Sequence, residues 1–212
     1  MKKKVPTIEE MEAALAVRHT PEVAQKLKAS TVGIAGLGGL GSAVAVALAR
    51  VGVGKLILVD FDVVDLSNLN RQHYFLDQIG QKKCEALAEN LRRINPYLKY
   101  ETHSQRINPQ NVSALFDGVD VLLEAFDAPD QKAMLLQNFT QAPLVCASGM
   151  AGYDTATTIR QRKMGKQIYA VGDFKSDISA TQSLMAPRVG IVAHWQANLV
   201  VRILLGAEGK FQ

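Results

Sequence analysis

A short run with a buried-strand pattern, Thr31-Val-Gly-Ile-Ala, leads into Gly36-Leu-Gly38-Gly39-Leu-Gly41 and then into a segment rich in Ala and Val. Strand, G-x-G-x-x-G and helix in that order make a β-turn-α unit that binds phosphate groups. Gly36 permits the tight turn, Gly38 lets backbone approach a phosphate, Gly41 lets the helix pack closely on the strand, and Gly39 belongs to the same phosphate-facing bend. The free N–H groups and positive dipole end of the helix complete an anion site. A second apolar run, Leu56-Ile-Leu-Val, ends at Asp60, 19 positions after Gly41. A carboxylate there is placed to accept hydrogen bonds from ribose hydroxyls.

The next residues, Asp60-Phe-Asp62-Val-Val-Asp65-Leu-Ser67-Asn68-Leu-Asn70-Arg71-Gln72, are dense in carboxylates and amides and include one arginine. That composition suits a nucleoside triphosphate, which needs cationic donors and a metal near its phosphates, better than the nicotinamide of a dehydrogenase. With Ile79-Gly80-Gln-Lys-Lys83 and Glu124-Ala-Phe-Asp127, these stretches resemble the ThiF/MoeB family, the bacterial relatives of ubiquitin-activating enzymes. The resemblance covers residues 30 to 150 firmly and the ends less closely.

One domain over residues 1–212 is the expectation for this length, with 1–29 as a helical N-terminal arm. Hydrophobic residues make up 48% and charged residues 21%, an ordinary globular balance. The net charge of +4 is front-loaded by Lys2, Lys3 and Lys4, read as a solvated tail rather than a nucleic-acid arm. Cys84 and Cys146 form no C-x-x-C pair, and no apolar stretch is long enough to span a bilayer. A cytoplasmic protein without a membrane partner is expected.

Alternation of apolar runs and amphipathic segments predicts an α/β, Rossmann-like fold, with a mainly parallel sheet and helices on both faces. Thr7 and Pro21 mark two helix starts in the arm. Ala/Val-rich residues 42–50 form a buried helix ended by Gly52. Cys84, Leu87, Leu91 and Ile94 share one face of a helix stopped by Asn95-Pro96, which makes Cys84 a core residue. Strands are expected at 97–102, 119–124 and 144–147, and helices at 109–116, 129–138 and 187–205. Residues 155–162 and 167–171 read as a polar antiparallel extension, which the resemblance implies is a platform for a carrier protein.

The cations best placed in sequence for a triphosphate are Arg71, in a polar loop, and Lys83, in the first turn of its helix. The resemblance assigns both to ATP, with Asp60, Asp62, Asn68 and Gln72 as supporting polar groups. It carries Mg²⁺ to Asp127 and makes Arg18 the counterpart of an arm arginine that reaches ATP across a homodimer interface. Glu124, Phe126 and Ala128 depart from the family's D-x-T-D-N-like pattern around Asp127. Residues 148–212 contain no cysteine, so no zinc site of the family's C-x-x-C type is expected and the sulfur donor would be a separate protein.

The activity implied is adenylation of the C-terminal glycine carboxylate of a small ubiquitin-like sulfur carrier. The short chain resembles the compact, ThiS-dependent branch of thiamine biosynthesis. Activation of a modified-base carboxylate in tRNA, a non-catalytic carrier-docking role and a nicotinamide dehydrogenase are the competing readings.

Overall fold

A computed structural model describes residues 5–176 and 183–207; the Lys2–Lys4 tail lies outside the described residues. Thr7 caps α1 (Ile8–His19) through a capping box with Glu10, and Thr20 and Pro21 open α2 (Pro21–Ala29). The chain continues through β1 (Thr31–Ala35), α3 (Gly39–Val51), β2 (Lys55–Val59), α4 (Lys83–Ile94) and β3 (Lys99–His103). Then come α5 (Val112–Leu115), β4 (Val121–Glu124), α6 (Pro129–Asn138), β5 (Leu144–Ala147), β6 (Arg160–Met164), β7 (Ile168–Gly172) and α7 (Ala186–Leu204).

All seven strands join one sheet in the order β3-β2-β1-β4-β5-β7-β6. Every pairing is parallel except β6 with β7. Strand residues alternate between two apolar layers, as the period of two requires. Val32, Ile34, Leu56, Leu58, Val121 and Leu123 meet the layer of α3, α4 and α7, while Ile57, Val59 and Leu122 meet that of α5 and α6. Side chains such as Leu48, Leu58 and Leu123, at 0% exposure, each stabilise the fold by roughly 1.5–3 kcal/mol. β1 has β2 on one side and β4 on the other, so the strand order reverses outside their carboxyl ends. Open α/β sheets bind ligands at that switch point.

Two expectations shift. The helix over 109–116 contracts to Val112–Leu115, because the Asn108 carboxamide accepts the N–H groups of Gln110 and Asn111 and holds the entry as a side-chain turn. The β pair starts later, after a single 3₁₀ turn at Ala156–Thr158, and the antiparallel extension continues the main sheet: β7 pairs parallel with β5 and places β6 at the sheet edge.

Candidate nucleotide site

The glycine turn bends the chain from β1 into α3. Gly36 has φ +91°, a conformation that disfavours any side chain, and a Cβ there would lie 2.9 Å from the Ala125 carbonyl oxygen. The Tyr74 hydroxyl donates to the Leu37 carbonyl at 2.8 Å, and the Asp60 carboxylate accepts the Leu37 N–H at 2.6 Å and the Asp62 N–H at 2.8 Å. The turn is therefore fixed from both flanks. Burial raises the Asp60 carboxyl above its usual range, opposed by those two N–H groups and by Lys83.

Above the turn opens a cavity of about 520 Å³. Gly36, Gly38, Gly39, Asp60, Asp62, Arg71, Gln72, Lys83 and Asp127 all line it, although they come from three connections, those that follow β1, β2 and β4. Lys83 is 6% exposed, and its ammonium donates to Asp62 at 2.9 Å. The aliphatic stem of Arg71 runs beside Gly39, and its guanidinium donates to the Asn70 side chain at 2.9 Å. The Gln72 carboxamide approaches Gly38, and its buried Oε1 has no partner among the described residues. An orphaned polar atom beside a bare backbone turn fits a ligand that carries its own donors. Asp127, on the facing wall after β4, is exposed and has neither a hydrogen bond nor an ion pair among the described residues.

Three sequence-selected residues stand elsewhere. Gly41 lies behind the turn as a packing position. Asn68 closes a capping box with Asp65, and its carbonyl accepts the N–H groups of Arg71 and Gln72, so it shapes the loop without lining the cavity. Arg18 lies on α1, whose Leu15 meets Gly52 beyond the far end of α3, about 20 Å along that helix from the turn. Within one chain Arg18 does not line the cavity.

The cavity also holds side chains that sequence reasoning passed over. Arg106 stacks on Phe61 at 4.2 Å, and both line the wall beyond Asp60. Lys132 lines the opposite wall, bonded to the buried Glu124. A cation in the opening turn of the helix after β4 was its one sequence signal. Neither cysteine lines the cavity, and burial pushes both the Cys84 and Cys146 thiols up to about 12, away from the thiolate form.

Arg188, at the start of α7, braces the far wall. It donates to the carbonyls of Asp154 and Thr155 and to Asp173 at 2.6 Å, and it is 3% exposed. Burial works to raise the Asp173 carboxyl, but the N–H groups of Ser176 and Lys175, the Ser176 hydroxyl and Arg188 outweigh it and hold it at about 2. A depressed carboxyl stabilises the fold above its unfolded value of about 3.8, and that stability is lost as pH falls through 2. Urea unfolding will show the native protein losing about 2 kcal/mol more than Asp173→Asn between about pH 6 and pH 2. Equal losses would remove the brace from the acid response.

No helix among the described residues is long and apolar enough to cross a membrane, and none of their His, Cys, Asp and Glu side chains group in threes as a metal cluster.

The profile of the ThiF family matches residues 12–212. The molybdopterin-synthase adenylyltransferase of Escherichia coli is 32% identical over 196 residues, 88% of this chain and 79% of that protein. The tRNA threonylcarbamoyladenosine dehydratase of Escherichia coli is 35% identical over 139 residues, 64% of this chain and 52% of that protein. The adenylyltransferase and sulfurtransferase UBA4 of Candida glabrata is 29% identical over 189 residues, 85% of this chain and 44% of that protein. The chain thus spans about half the length of the last two relatives. The crystal structure of the Escherichia coli dehydratase in complex with AMP superposes with a TM-score of 0.83 at 22% identity, covering 96% of this chain and 98% of that one.

Proposed function

Because the chain belongs to the ThiF family, we propose that it catalyses ATP-dependent adenylation of a carboxylate, releasing pyrophosphate. The observation that carries this reading is the convergence of a bare glycine turn, two cations and an unpaired carboxylate on one cavity. Names of relatives that are adenylyltransferases support it. The α3 N-terminus and the N–H groups of the turn bind phosphate oxygens, Asp60 accepts from the ribose, and Arg71 and Lys83 offset the charge that grows on the departing pyrophosphate. The substrate carboxylate attacks the α-phosphorus, so no protein nucleophile is required. That suits a cavity lined by no cysteine, the chain's two thiols being buried away from it.

Mg²⁺ fits Asp127 because this ion takes one or two carboxylates and draws its remaining oxygens from phosphates and water. Asp127 would hold the ion, which would supply neutralisation of phosphate charge.

The substrate we propose is the C-terminal glycine of a ThiS-like sulfur carrier in thiamine biosynthesis, with sulfur supplied by a separate protein. One domain over residues 1–212 would carry the reaction, in the cytoplasm, where two unpaired thiols stay reduced. Exposed Val63, Leu66, Phe75, Leu76 and Ile79 beside the site favour a homodimer. In that dimer Arg18 of a second copy would approach the nucleotide.

A second reading, a carboxylate borne by tRNA, is favoured by the 35% identity to the dehydratase and by the exposed basic hairpin of Arg160, Arg162, Lys163 and Lys166. ATP–pyrophosphate exchange with Mg²⁺ separates the two. Exchange that needs an intact Gly-Gly carrier tail is expected, exchange with tRNA alone selects the second reading, and exchange with neither overturns both.

A further inference from the structure

Glu124, the last residue of β4, is 0% exposed. Its two carboxylate oxygens accept from Lys132 Nζ at 2.8 and 2.7 Å, and Oε1 also accepts the Phe126 N–H at 2.7 Å. Lys132, in the opening turn of α6, gives a further hydrogen bond to the Ala147 carbonyl at the end of β5, at 2.9 Å. All three ammonium donors are engaged, so this lysine lines the cavity with no donor left for a phosphate.

Its effect is geometric. The pair closes both ends of the loop that carries Asp127 and pins that loop to β5, where Ser148 and Gly149 begin the far wall. Asp127 itself is held by no side chain or backbone group among the described residues, and Phe126 and Ala128 on either side of it bring no hydroxyl or carboxamide that could fasten the turn. The position of the Asp127 carboxylate therefore depends on the two residues that anchor its loop.

We propose that Glu124 and Lys132 are positioning residues that set Asp127 against the triphosphate and so govern uptake of Mg²⁺ rather than binding of the nucleotide. This rests on the reading of Asp127 as the metal carboxylate. Removing one partner alone would strand a buried charge and endanger folding. The informative variants differ in charge: Glu124→Gln with Lys132→Met neutralises the pair, whereas Glu124→Asp with Lys132→Arg shortens the carboxylate by one methylene, offsets this with the longer guanidinium and keeps the bridge.

The probe is α,β-methylene ATP, with binding measured by calorimetry without metal and then titrated with Mg²⁺. In the neutral double variant the analogue is expected to bind within about twofold of native while half-saturating Mg²⁺ rises at least about tenfold; the bridged variant stays within about threefold on both. Unchanged Mg²⁺ uptake in the folded neutral variant overturns the proposal, as does equal loss of metal-free and metal-bound affinity. Asp127→Asn, titrated in parallel, tells the two failures apart. If it weakens Mg²⁺ uptake and the neutral pair does not, the positioning role alone fails; if it changes nothing, the metal carboxylate fails and the positioning role with it.

Discussion

Lys83→Met and Arg71→Met will each lower carrier-dependent ATP–pyrophosphate exchange by about 10²-fold or more, while the protein keeps its fold. Removing one preorganised group that stabilises transition-state charge costs about that much in a water-poor site. The two cations face the phosphates differently. Lys83 is a point charge in a slot 6% exposed, already oriented by Asp62 at 2.9 Å, so little rearrangement is needed when phosphate arrives. Arg71 lies across Gly39 and holds its guanidinium through Asn70, on the half-exposed side of the cavity. Asp62 remains 47% exposed at its side chain, so water can solvate it once Lys83 is gone and the stability cost is small. Lys83→Arg will not restore activity, because a planar fork does not fit the slot of a compact ammonium. Lys82→Met is the control: that side chain is exposed beside Glu85 at 3.7 Å and does not line the cavity. Full exchange in both Lys83→Met and Arg71→Met would sink the assignment of these cations to ATP.

The features legible in the sequence are those whose cause is local. Thr7 with Glu10, Pro21, Gly52 and Pro129 mark helix ends because capping and restricted φ act within a few residues. The β1-turn-α3 unit and Asp60 were legible for the same reason. The cluster of Arg71, Lys83 and Asp127 was legible through the resemblance, since nothing in spacing alone brings the connections after β2 and β4 to one cavity. What stayed hidden depends on distant partners. Lys132 reads as an ordinary helix cation until β4 and β5 place Glu124 and Ala147 around it. Arg188 was absorbed into an apolar helix, though it joins the 154–158 turn to Asp173. The place of β7 between β5 and β6 is likewise a pairing that no period reveals. Asn68 marks the opposite case, a polar residue inside the motif whose side chain accepts the Asp65 N–H and does not line the cavity.

Gly41→Ala will remove nucleotide binding and destabilise the protein by about 3 kcal/mol or more, whereas Gly38→Ala will fold normally and lose affinity alone. A Cβ at Gly41 would fall inside the contact distance of the Gly36 carbonyl oxygen and lie 3.3 Å from the Ala125 Cβ. Gly36 cannot yield easily, since its N–H donates to the Val59 carbonyl at 2.9 Å and its own turn is tied to β4. The start of α3 must then move outward from β1, and the cost joins overpacking against rigid backbone to the packing that α3 shares with α7. The same displacement carries the helix N-terminus away from the phosphates. At Gly38 the nearest atom to an added Cβ is the Gln72 Nε2 at 3.8 Å, so a methyl fits the empty cavity and obstructs only an approaching phosphate. Urea unfolding and nucleotide titration on both variants distinguish a glycine that packs from one that binds. If Gly41→Ala retained native stability, close approach of α3 to β1 would not be what fixes this position as glycine.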